Sequence, residues 1–481
     1  MASSLSRSLD QVRVAVQSSV PLSWTLDIPS EEHLHALSQN LAQILDELQK
    51  PELKHPIVFC FHELFTNAHK ALAKRVFFRR RELSLENQTQ YREGMTLFRQ
   101  DWMQNIDYWN HEVEREGLRI QVVFQWSNGV LMVVVANSTS VLPWELERIQ
   151  AQKTGAMNLG ESEVMENLDQ TEGGGYGIRL IYSILHKLGC PVSCFSLISQ
   201  TDRTIALFKV PLASLAVHRT PVSSRLAEEV KQLPAFPETI LILQQKLLDP
   251  KVEMSSLVKI IEQDPNLVAA LLKTANSAAY RRLQPISGIK EAVTLIGLKG
   301  LSGLLYAFGS EVALKGRHQP LLTEHAQATA TFAHQIAKNY APKEADTVFA
   351  GGLLHDLGKI IISTYQTRFQ EICKEMVREQ RLPEWFVENL SFGLDHAELG
   401  GLVAQHWNFP AGLVEMMRYH HNPSQAREAR RATAIVSLAN LIPRIADGSY
   451  PLYLLDPAIF EELPGLSEEH VLKLAQTLTK H

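Results

Sequence analysis

Imidazole nitrogens and a carboxylate recur in the second half of the chain at spacings that could build a metal site. His355 and Asp356 are adjacent in AGGLLHDLGK, with His325 30 residues earlier and His396 41 residues later. His420 and His421 then follow His396 by 24 and 25 residues. A lone histidine on a helix is more often a satisfied core residue than a ligand. An ordered set of six ligand-type residues, each on or beside an expected helix, shifts that balance toward divalent iron, manganese or zinc. Held there, His355 and Asp356 would keep a metal that activates water, with Lys359 close to a phosphate.

The first half offers a different chemistry. Glu63 and Asn67 in FHELFTNAHKA are four residues apart, so a helix turns both toward one side. A carboxylate and an amide on such a face can hold phosphate-bound magnesium, and Glu63 could act as a general base. Further on, Gly173, Gly175 and Gly177 open a helix starting near Ile178, where backbone N–H groups can approach a phosphate. Each signal is weak alone, because surface helices and turn glycines supply both constantly.

The elements that must position these residues fall into two groups. Residues 121–124 and 130–135 are β-branched runs flanking an Asn-Gly turn, and residues 194–198 and 203–210 form a second expected strand pair. After about residue 212 strand signals stop, and apolar residues recur at helical spacing from Leu226 onward. The expected division is an N-terminal segment (1–24), a mixed domain (25–212), a polar linker (213–225), an all-α domain (226–447) and a tail with a short helix (448–481). Residues 79–117 read as a helical insertion. They are either a partner surface or, at about two to one, a solvated insertion with its aromatics packed back on the domain.

Composition excludes several classes. The 481 residues are 45% hydrophobic and 21% charged, too balanced for global disorder. Lys and Arg total 47 against 52 Asp and Glu, a net charge of −5, which gives no global electrostatic reason to bind nucleic acid or an anionic membrane. The longest purely apolar run, 130–136, is far short of the roughly 20 residues of a spanning helix. The N-terminus lacks a basic stretch followed by an apolar core, and the four cysteines form no CxxC pair. A cytoplasmic protein with buried thiols is the expectation.

The ordered motifs carry two family resemblances. In the first half, E-x-x-x-N-A-x-K-A, matched by Glu63, Asn67, Ala68, Lys70 and Ala71, with G-x-G-x-G at Gly173, Gly175 and Gly177 and the exit TIALFKVP, resembles the ATP-binding domain of histidine kinases, gyrase and MutL, the Bergerat fold. The resemblance implies an α+β sandwich binding ATP with magnesium. Where that family has an Asp reading adenine, this chain has Asn137, whose amide oxygen accepts a hydrogen bond without charge. The resemblance therefore leaves either a nucleotide-binding unit or a degenerate scaffold.

In the second half, LPAFPETILIL, DPNLVAALLKTANSAAY, PISGIKEAVTLIGLKGL, GLLHDLGK and HAELGGLVAQHWNFP ending in RYHH resemble an HDOD domain, related to the HD-GYP phosphodiesterases. The resemblance implies metal positions at His325, His355, Asp356, His396, His420 and His421. Asn440 stands where the pattern closes with Asp, and Asn422, Pro423 and Ser424 follow the paired histidines in place of G-Y-P. Together these imply a multi-domain signal-transduction protein that works on other signalling proteins through a non-catalytic HDOD scaffold. The rival is a metal-dependent phosphohydrolase with the first domain as sensor.

Overall fold

Alternation of β-branched and aromatic residues with polar ones builds the first half's sheet. In the computed structural model, which describes residues 9–27, 29–147, 149, 176–213, 221–280, 284–315, 324–363 and 382–479, the chain divides into two units, Met1–His218 and Arg219–His481.

The first unit holds a five-stranded antiparallel sheet in the order β1-β2-β3-β5-β4. The strands are β1 (Leu22–Leu26), β2 (Ile120–Ser127), β3 (Val130–Asn137), β4 (Phe195–Ser199) and β5 (Thr204–Pro211). Asn128 and Gly129 both take positive φ, 52° and 72°, so the expected hairpin closes as a two-residue turn with Ser127 opposite Val130. That register puts Ile120, Val122, Phe124 and Trp126 on the buried face. Described helices of this unit are α1 (Leu9–Gln17), α2 (Glu31–Glu47), α3 (Lys54–Arg80), α4 (Gln88–Gln104), α5 (Ile106–Arg115) and α6 (Tyr176–Lys187). Helix α3 packs on β3 and α6, and Phe61 meets Phe124 edge-on at 5.3 Å between ring centroids. Fully burying a ring of this kind stabilises by roughly 1.5–3 kcal/mol.

Two boundaries of this unit differ from the sequence reading, at the N-terminal segment and at the linker. The N-terminal segment is part of this unit, because β1 pairs with β2 and the Trp126 indole donates to the Val16 carbonyl. The insertion packs back on the unit: Tyr91, Phe98, Trp102 and Trp109 are buried, and Phe98 and Trp109 both lie against Phe77. The expected linker is shorter, since residues 221–225 already belong to a helix.

The second unit is helical throughout its described residues: α7 (Pro221–Lys231), α8 (Glu238–Leu247), α9 (Met254–Ile261), α10 (Pro265–Ala275), α11 (Ile289–Ala313), α12 (Glu324–Tyr340), α13 (Ala345–Leu354), α14 (Lys359–Ser363), α15 (Glu384–Phe392), α16 (His396–His406), α17 (Ala411–Tyr419), α18 (Arg430–Ala446), α19 (Ala458–Glu462) and α20 (Glu468–Leu478). Starts follow capping chemistry, as at Asp264, whose carboxylate accepts from the Asn266 and Leu267 N–H groups ahead of Pro265. Helix α11 is long and apolar enough to cross a membrane by length and composition, yet 61% of that stretch is buried inside the fold and Gly297 kinks it. The expected tail belongs to this core. Ala458, Ile459, Leu463, Val471 and Ala475 are buried, and they cover α18 on a face that would otherwise expose apolar side chains.

Candidate metal centre

Close helix approach brings the histidines together. Helix α13 lies in the core, with eight of its ten residues buried, and ends at His355 and Asp356. A Cβ on Gly352 would lie 2.6 Å from the Ala330 backbone of α12, the helix carrying His325. One on Gly358 would strike the His396 carbonyl oxygen and lie 2.6 Å from the Gly400 nitrogen of α16. Only glycine permits both approaches. Helix α17 then ends at His420 and His421, and α16 and α17 pack on each other.

The outcome is two facing groups, His325 with His355 and Asp356, and His396 with His420 and His421, the ligand atoms of each lying within 4.8 Å of one another. His325 Nε2 is 3.2 Å from His355 Nε2 and 3.5 Å from Asp356 Oδ2. Asp356 Oδ1 lies 3.3 Å from His355 Nε2 and 3.2 Å from His396 Nε2, so this carboxylate faces both groups. His396 and His421 Nε2 atoms are 2.9 Å apart. Donors 2.0–2.1 Å from one ion stand about 3.0–3.4 Å apart, so these separations match those of ligands to one divalent cation as well as those of direct hydrogen bonds.

Hydrogen bonding fixes which ring nitrogen faces inward. His355 Nδ1 donates to the Gly352 carbonyl and His420 Nδ1 to the Met417 carbonyl, both at 2.8 Å. A carbonyl only accepts, so Nδ1 carries the proton and Nε2 keeps its lone pair for a ligand. Burial, with neighbouring histidines, lowers His420 and His421 well below the ordinary imidazole range, and burial lowers His355 to about 4. These rings are neutral at pH 7, as ligands must be. Burial alone would also lower His396, but the Glu388 and Asp356 carboxylates carry it up to about 10. Burial opposes ionisation of Asp356, yet His355, Lys359 and His396 hold it well below the usual carboxylate range.

One ligand-type atom, His420 Nε2, is buried without a hydrogen-bond partner, and a second, Asp356 Oδ1, makes only the ion-pair contacts with His355 and His396 among the described residues. An unsatisfied buried polar atom costs roughly 1–3 kcal/mol, and coordination would remove that cost. The donor set and this orphaned ring nitrogen fit a divalent metal. The sequence reading placed Asn440 here as well. It is half-buried on α18, and no hydrogen bond or ion pair among the described residues joins it to the histidines.

Sequence reasoning missed the supporting helix. Helix α15 brings Glu384 to 3.0 Å from Lys359 Nζ, which is also 3.0 Å from Asp356 Oδ2. It also brings Glu388 to 2.6 Å from His396 Nδ1 and lays Trp385 over His421, stacked at 5.4 Å. The E-W-x-x-E spacing places both carboxylates on one helix face, the signal that was present.

The first unit holds a cavity of about 370 Å³ whose lining includes Asn67, Lys70, Asn137 and Thr204. Glu63 is not part of that lining; its side chain packs where a Cβ on Gly177 would be, and burial raises its carboxyl despite Lys70. Gly173 and Gly175 lie outside the described residues, as does Cys373. Asn137 Oδ1 already accepts from the Thr139 amide and, at 2.7 Å, its hydroxyl. Also unforeseen, Glu145 pairs with Lys74 inside the cavity and takes hydrogen bonds from Tyr91 and the Leu142 amide.

Residues 233–423 match the family model of the HDOD domain. Across 478 residues, 98% of this chain and 93% of the relative, the sequence is 29% identical to an uncharacterized protein of Treponema pallidum strain Nichols. A crystal structure of an HDOD domain protein of unknown function from Geobacter sulfurreducens aligns over 53% of this chain and 93% of its own, at 24% identity and a TM-score of 0.44. A virulence factor from Campylobacter jejuni aligns over 53% and 98%, at 21% identity and a TM-score of 0.29. The C-terminal half of this chain carries an HDOD domain.

Proposed function

We propose that the chain is a cytoplasmic signal-transduction protein whose HDOD domain binds a divalent metal in the histidine cluster and hydrolyses a phosphoester there, under control of the first unit. The observation that carries this reading is the pair of ligand groups, one of them with a buried ring nitrogen, His420 Nε2, that makes no hydrogen bond. Their exposure favours a catalytic over a closed structural centre: the His325 side chain is 42% exposed and that of Lys359 28%, so one side faces solvent. A bound divalent ion would supply Lewis acidity and activate a water molecule. The chain's own contribution is to hold the neutral His355, His420 and His421 rings inward, to keep Asp356 ionised, and to present Lys359 to an anionic group at the open side.

The second reading is a scaffold acting by protein interaction with other signalling proteins. One observation favours it: Asp356 is the one carboxylate within the two ligand groups among the described residues, so two divalent ions would be poorly neutralised by their own ligands. The deciding experiment loads the protein with manganese, iron or zinc and assays phosphomonoester and cyclic-dinucleotide hydrolysis. Turnover abolished by His355→Ala supports the enzyme; retained metal without turnover supports the scaffold.

For the first unit we propose a histidine-kinase-like nucleotide site with weak, poorly selective ATP and magnesium binding. Asn67 and Lys70 line the cavity, while the Asn137 oxygen is engaged by Thr139. Calorimetric titration tests it, and tight adenine-selective binding would refute it.

A further inference from the structure

We propose that Glu388 is a positioning residue that makes the His396, His420 and His421 group the first metal position to fill, with His325, His355 and Asp356 a weaker second. This rests on the metal reading above and goes beyond it by ranking the two positions and naming what ranks them. One Glu388 oxygen accepts two hydrogen bonds from the same residue, 2.9 Å from the His396 backbone N–H and 2.6 Å from its Nδ1. The ring is thereby fixed against both rotation and flipping, with Nε2 turned to the cluster. His420 is held by the Met417 carbonyl, and the His421 ring lies under Trp385. Each ligand of this group thus has a contact outside the coordination sphere that sets its direction, and an ion bound here takes the place of the proton that His396 Nε2 turns toward Asp356.

The other group is less prepared. His355 is tied to Gly352, but the His325 side chain is 42% exposed, and its contacts with His355 and Asp356 lie within the group itself. Asp356 Oδ2 is already paired with Lys359 at 3.0 Å, so an ion there competes with a lysine. Ligands that must be ordered or released on binding lower affinity relative to ligands already in place. Glu388 itself is 5% exposed and sits on the helix that also carries Trp385, so one element orients two ligands of the same position.

Trp385 makes the ranking measurable. The metal-stripped full chain is titrated with Co²⁺ by calorimetry and by tryptophan fluorescence, with Trp385→Phe as the reference that isolates this indole among the seven tryptophans. The first equivalent should quench the Trp385 signal, and a weaker second should not. His325→Ala should remove only the second step. Glu388→Ala should weaken the first step about 10- to 100-fold. Glu388→Gln, whose carbonyl can take over both hydrogen bonds, should recover most of that loss. A first step that leaves Trp385 unchanged, or that His325→Ala removes, would overturn the ranking. A Gln variant that folds but binds no better than Ala would overturn positioning as the cause. No Co²⁺ binding by the wild-type chain would overturn the metal reading itself, and this inference with it.

Discussion

The cavity of the first unit and the histidine cluster of the second both gather buried polar groups, but they settle them differently. In the cavity the groups satisfy one another: Asn137 binds Thr139, the Thr204 hydroxyl donates to the Thr139 carbonyl at 2.6 Å, and Glu145 is met by Lys74, Tyr91 and Leu142. In the cluster the outer atoms are satisfied and the inner ones are less so, since Nδ1 of His355 and of His420 are bonded while His420 Nε2 makes no hydrogen bond and Asp356 Oδ1 meets other members of the cluster alone among the described residues. A network closed on itself contributes specificity to the fold. One left open on its inner side is prepared for something from outside.

The largest expected effect tests how the cluster is assembled. Gly358→Val should lower stability by about 3 kcal/mol or more, because the new side chain meets the His396 carbonyl and the Gly400 nitrogen of α16. Thermal melting of the full chain reads this, and an unchanged midpoint would mean that the close approach of α16 is not required.

The closed network predicts a comparable loss when one partner goes. Lys74→Met leaves Glu145 buried with Arg75, 3.7 Å away, as its remaining ion-pair partner among the described residues, and should cost about 3 kcal/mol in urea unfolding. Replacing both members, Lys74→Met with Glu145→Leu, should recover much of it. A double variant as unstable as the single one would show that the pair is more than mutually satisfied.

A smaller effect comes from pH. Burial lowers His69 to about 4, against the bond to Asn110 that favours its charged form. The folded protein keeps this ring neutral, whereas the unfolded chain takes up a proton below about pH 6.5. Stability is therefore present above that pH and falls as pH drops toward 4. Between pH 7 and 5 the loss should be about 2 kcal/mol, and His69→Gln should remove that part of the dependence. Identical pH profiles for the two proteins would contradict the assignment.

The same contrast explains what was legible in the sequence. His355 beside Asp356, and His420 beside His421, are local signals, and the structure gathers both pairs with His325 and His396. The Asn-Gly hairpin was equally local, its register set by two positive-φ residues. Glu388 was passed over, because two glutamates four residues apart look like a solvated helix face until His396 is seen beneath them. Glu145 pairs with Lys74 across 71 residues, a separation that no periodicity encodes. Residues 213–225 read as a polar linker, but Pro221 begins a helix whose Leu226 and Val230 are buried in the second unit's core. Residues after 447 read as a tail because their helices are short; only packing on α18 shows them to be core.

The most direct test of the metal centre is retained metal after loading and exhaustive dialysis of the full chain, measured by elemental analysis. At least one equivalent of manganese, iron or zinc should remain in the wild-type protein. His396→Ala should lose it while melting as a folded protein. Less than a tenth of an equivalent in the wild type, or metal retained equally by His396→Ala, would contradict a cluster built to hold an ion.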